Sequence, residues 1–107
     1  MRGRHLGELE ELVLLAVLGL DQQGYGVGVQ QQIEARTGRG VTIGAIYSAL
    51  DRLERKGYLR SRVGKPGADR GGRRKRTFTI RQAGRVALER MRADREAMWR
   101  VVEPHDA

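Results

Sequence analysis

Between Arg52 and Arg76 the sequence carries 11 basic residues and two acidic ones, Glu54 and Asp69. That window of 25 residues has a net charge of +9 in a chain whose total is +8, so the rest of the chain is nearly balanced. A single-signed, localised cluster of this kind can neutralise and grip a polyanion. Just before it lies a run of a different character. Thr42, Gly44, Ala45, Ser48 and Ala49 are small or hydroxylic. Small side chains let a helix sink into a DNA major groove, and the hydroxyls of Thr42 and Ser48 can bond a base edge or a phosphate. Long Arg52 and Arg55 follow on the same face, within reach of phosphate from the back of such a helix.

Other chemistries find little support. The two histidines, His5 and His105, stand at opposite ends, and there is no cysteine, so no metal-ligand spacing and no disulfide framework exist. No Ser-His-Asp constellation can be assembled. Gly24, Gly26 and Gly28 form a GxGxG run, but a dinucleotide fingerprint needs another spacing and a preceding strand, so a turn opening a helix is the better reading. Neither an enzyme nor a cofactor is expected. The apolar run from Leu12 to Leu20 is too short for a membrane span, which points to a cytoplasmic protein. With only five aromatic residues, the chain lacks a stacking platform for single strands.

The elements that must position these residues can be read from periodicity. Leu6, Leu9, Val13, Ala16, Val17 and Leu20 recur at helical steps, and the intervening positions from Leu12 to Leu18 are also apolar, so this first helix should be buried on more than one side. Glu8, Glu10 and Glu11 suit its positive end. A second helix is expected over Val27–Thr37, with Val29 and Ile33 inward and Gly38 as its stop. The third, Ile43–Lys56, has Thr42 as N-cap and Gly57 as stop. Ile43, Ile46, Tyr47, Leu50 and Leu53 form its expected core stripe, with Gly44, Ala45, Ser48, Ala49, Arg52 and Arg55 outward. Tyr47 has two readings: core packing, or a hydroxyl that reaches phosphate. Tyr58–Val63 and Arg73–Ile80 read as two strands. Between them, residues 64–72 hold four glycines and a proline, which makes a hairpin with a long tip. A last helix is expected from Gln82 to Val102, with Leu88, Met91, Met98 and Val102 as a sparse stripe, Trp99 beside it and Arg95 interrupting it. The order helix, helix, helix, strand, loop, strand, helix is a winged helix-turn-helix plus a C-terminal helix. It is mainly α with a small β-hairpin, in one compact unit: residues 1–80 form the winged-helix part and 81–107 the last helix and tail.

Several stretches in this order resemble the PadR family. They are LGELEELVLLAVL with QQGYGVGVQQQIEARTG, then VTIGAIYSALDRLERKGYLR, then GGRRKRTFTIRQAGRVAL. Ile46-Tyr47-Ser48-Ala49-Leu50 falls on that family's leucine-tyrosine-proline-x-leucine pattern, with Ser48 in place of the proline. Arg76 and Thr77 stand where aromatics are common, so this wing is unusually basic. The resemblance implies a homodimeric transcriptional regulator, commonly a repressor, on a near-palindromic operator in double-stranded DNA, with the dimer built by the first and last helices. It also implies that a small aromatic effector could stack on Trp99, against the plainer reading of Trp99 as packing in a helix seam. The expected DNA-binding set is Thr42, Gly44, Ala45, Tyr47, Ser48, Arg52, Lys65, Arg70, Arg73, Arg74 and Arg76. The wing serves affinity and the first half of helix three serves sequence choice. The alternative is a non-specific RNA- or nucleoid-binding protein using the same patch.

Overall fold

A computed structural model describes residues 5–20, 25–64 and 76–102. The elements are α1 (Glu8–Gly19), α2 (Gly26–Thr37), α3 (Ile43–Arg55), β1 (Leu59–Val63), β2 (Arg76–Ile80) and α4 (Gln82–Val102). The strands pair antiparallel, with Leu59 opposite Ile80, Ser61 opposite Phe78 and Val63 opposite Arg76. This is the mainly helical, winged arrangement expected.

α1 is the hub. Its all-round apolar sequence is explained by packing against α2, α3, β2 and the start of α4. Val13, Leu14, Ala16 and Val17 are buried there with Val29 and Ile33 of α2, Leu50 and Leu53 of α3, and Leu59, Phe78 and Ile80 of the hairpin. The local stops are those expected. Gly38 adopts the left-handed conformation after α2, at φ 74°, and Gly57 does so after α3, at φ 84°. The Thr42 hydroxyl caps α3 by accepting the Ala45 amide at 3.1 Å. Gln30 Nε2 donates to the Val41 carbonyl at 2.8 Å and so ties α2 to the approach to α3.

Two expectations for α3 are corrected. Ile43, expected in the core, is 38% exposed, and Ala49, expected outward, is fully buried. The inward stripe is Ile46, Ala49, Leu50 and Leu53, the spacing of one narrow helical face. Ile43 is the first helical residue and lies beyond the edge of the core. Ala49 has a short side chain that its packed neighbours cover.

α4 changes character along its length. Leu88 is buried and Met91 half-buried against the core, but every residue from 92 to 102 is exposed. At its root, Gly84 lies so close to the preceding turn that an added Cβ would be 2.5 Å from the Tyr58 carbonyl oxygen. That carbonyl also accepts the Arg81 amide at 2.9 Å.

Candidate nucleic-acid interface

The outer face of α3 begins with Gly44, exposed and with open space around its Cα, and continues through half-buried Ala45 to exposed Ser48, Arg52 and Arg55. Thr42 is exposed at its head, with its hydroxyl oxygen already accepting the Ala45 amide. The uncharged half of the face is therefore free of the core and of any tertiary bond that would withdraw it. Tyr47 is half-buried against the core, and its ring lies over the first residue of α2: a Cβ on Gly26 would be 2.3 Å from Tyr47 Cζ. Packing thus accounts for the ring, and glycine at 26 is what admits it.

The charged half divides in two. Of the six described cations in the basic window, Arg52, Lys56 and Arg76 are bonded to carboxylates within the chain. Arg55, Arg60 and Arg62 are exposed and make no ion pair among the described residues. Arg52 and Lys56, one turn apart, both face Glu10 at the start of α1. Arg52 Nε donates to Glu10 Oε2 at 2.9 Å, and Lys56 Nζ donates to Glu10 Oε1 at 2.7 Å. Oε1 also accepts the Gly7 amide at 2.8 Å. Burial pushes the Glu10 carboxyl up, but the bonds from Lys56, the Gly7 amide and Arg52 together outweigh it and hold its pKa below the ordinary value. Arg76 Nη2 donates to Glu54 Oε1 at 2.9 Å and to Asp51 Oδ1 at 3.2 Å, and its guanidinium carbon is 4.7 Å from the centre of the Phe78 ring. Lys65, Arg70, Arg73 and Arg74 lie outside the described residues.

The acids Glu10, Asp51 and Glu54 were not among the expected site residues. Glu8, Glu10 and Glu11 had been assigned to a helix dipole, yet each finds a cation from another element: Arg39, the Arg52–Lys56 pair and Arg95 respectively. Partners 31 to 84 residues apart leave no local spacing to read. Arg76 did carry a signal, because strand alternation puts it on the same face as buried Phe78 and Ile80. An arginine on an inward face needs a counter-charge.

Trp99 is 61% exposed. With Met91, Met98 and Val102 it lines one wall of an open groove of about 670 Å³ between the distal half of α4 and His5–Glu8. Packing among the described residues therefore does not account for it. Among the described residues no group of acids and histidines could hold a metal ion, and no helix is long and apolar enough to cross a membrane.

No curated protein matches the chain closely enough to count as a relative. Solved structures share its fold. A PadR family transcription regulator from Clostridium difficile is 21% identical, with 89% of this chain and 94% of that one covered at a TM-score of 0.74. One from Eggerthella lenta is 23% identical, with 89% and 82% covered at 0.70. Bacillus subtilis PadR, solved in complex with operator DNA, is 20% identical, with 78% of this chain and 46% of that one covered at 0.63. The family model of PadR-like transcriptional regulators matches residues 14–90, from the middle of α1 to the core-packed half of α4. With that match over most of its length, and with the winged-helix fold to go with it, the chain belongs to the PadR-like family of transcriptional regulators.

Proposed function

We propose that this DNA-binding regulator acts as a homodimeric repressor on a near-palindromic operator, with α3 of each subunit entering successive major grooves and the wings flanking them. The observation that carries this reading is the uncharged strip of exposed Gly44, half-buried Ala45 and exposed Ser48 on the first half of a capped helix. Purely electrostatic binding has no use for such a strip, whereas base readout does. Exposed Arg55, Arg60 and Arg62 supply phosphate contacts beside it, and the wing cations Lys65, Arg70, Arg73 and Arg74 extend them. That Bacillus subtilis PadR was solved in complex with operator DNA supports duplex DNA as the partner. The first and last helices form the dimer, residues 81–107 serving as its arm and 1–80 as the DNA-binding part of one unit in the cytoplasm. A flat aromatic effector would stack on Trp99 in the groove beside Met98.

Footprinting on the DNA upstream of the protein's own gene, in rising salt, tests this. A symmetric protected site that survives moderate salt is expected, and Ala45→Leu should weaken it by more than it weakens binding to random duplex. Diffuse, salt-labile coverage with equal losses on both DNAs would replace this reading with non-specific nucleic-acid binding.

A further inference from the structure

We propose that Glu54 and Arg76 are positioning residues that set the direction of the wing relative to α3, and that Arg76 does not itself hold phosphate. The inference rests on the DNA-binding reading and deepens it. Two observations carry it. The first is that one carboxylate fastens both strands: Glu54 Oε2 accepts the Ser61 amide at 3.2 Å and the Ser61 hydroxyl at 2.8 Å from β1, while Oε1 accepts Arg76 Nη2 from β2. Asp51, one turn back on α3, takes a second bond from the same Nη2. The second is that, among the described residues, apolar anchoring of the wing stem stops at Phe78, short of the Val63 and Arg76 pair. Leu59, Phe78 and Ile80 root the base of the hairpin in the core, but Val63, the last strand residue before the wing and the cross-strand partner of Arg76, is 52% exposed. A two-stranded hairpin has little rigidity alone. Its angle to the recognition helix is therefore left to the polar clasp. Arg76 suits this role because one guanidinium nitrogen, Nη2, donates to both carboxylates while the flat group lies over Phe78, and a lysine ammonium has no planar face to stack there.

Glu54→Gln gives a test by sign. It removes a negative charge near the DNA face, so simple electrostatics makes DNA binding tighter. The clasp makes operator binding weaker, by about threefold to tenfold, as for other coupled polar networks. Binding of the footprinted operator and of a random duplex would be measured by fluorescence anisotropy at several salt concentrations for Glu54→Gln, Arg76→Lys, Arg76→Met and the Glu54→Gln/Arg76→Met double variant. Melting temperature and amide exchange at Ser61 would follow each fold. We expect Glu54→Gln to weaken the operator complex, Arg76→Lys to behave like Arg76→Met, the double variant to be no worse than the weaker single one, and Ser61 exchange to quicken while the protein stays folded. Arg76→Lys matching wild type, while Arg76→Met loses about one unit of salt slope, would make Arg76 a phosphate contact and overturn the proposal. So would operator binding by Glu54→Gln as tight as wild type or tighter. Wild-type protein that binds no duplex would overturn the DNA-binding reading itself, a distinguishable failure.

Discussion

A hydrogen at Gly26 decides where Tyr47 can sit. A methyl group there would meet Cζ, the hydroxyl and Cε2 of the ring at 2.3, 2.5 and 2.6 Å, so the ring would have to leave. Because Tyr47 is on α3, its departure disturbs the seam between α2 and α3. Gly26→Ala is expected to lower stability by about 1–3 kcal/mol, the usual cost of overpacking. Most of that cost should vanish in a Tyr47→Ala background, as a double-mutant cycle by chemical denaturation would measure. At this scale the sequence was legible in part. Gly26 stands in a GxGxG run that reads as a turn, but the reason for the glycine lies 21 residues away and no local pattern records it. Trp99 stood out, but its exposure needed the path of α4.

Among the elements, boundaries were the most legible feature, because Thr42, Gly38 and Gly57 act within a turn of their own positions. The phase of α3 was read a step off at Ile43 and Ala49. An apolar residue at a helix start can overrun the core, and an alanine can be claimed by either face. The ion-pair cluster that joins α3 to α1 was not legible. Glu10 is buried between Arg52 and Lys56, and the counter-charge of both cations lies on an element far away in sequence. Glu10→Gln should cost about 2 kcal/mol or more, since it leaves two cations at a partly buried site without their counter-charge. The acid limb follows from the lowered pKa. The stabilisation is fully present above the ordinary carboxylate value, about 4.3, and is lost as pH falls through the lower folded value. Thermal melts from neutral pH to about pH 3 should therefore show a shallower acid decline for Glu10→Gln than for wild type.

The whole molecule is a packed winged-helix body with an arm. Beyond Met91 the charged flank of the arm carries, among the described residues, Arg95 bonded twice to Glu11, at 2.6 and 3.2 Å, and Arg92 bonded to Glu96 at 3.4 Å, while Met98, Trp99, Val101 and Val102 are each more than half exposed. Apolar side chains gathered on one stretch of helix mark an interaction surface. Met98→Glu with Trp99→Glu should shift the protein to monomer in sedimentation and abolish protection of one half-site without unfolding the body. A dimer that persists in this variant would move the interface elsewhere. The core-packed end of the α4 stripe, Leu88 and Met91, was legible, whereas Met98 and Val102 of the same stripe are exposed. What the stripe packs against was not legible, because periodicity marks the face a helix hides and not what hides it.

The close approach at Gly84 has a mechanical consequence. The foot of α4 touches the turn after α3 through backbone, with the Tyr58 carbonyl against Gly84 and bonded to the Arg81 amide. No long side chain stands between them to yield. A helix of 21 residues is a rod of about 31 Å, so a tilt of a few degrees at its foot becomes a lever stroke at its far end, with the fulcrum at Tyr58 just past α3.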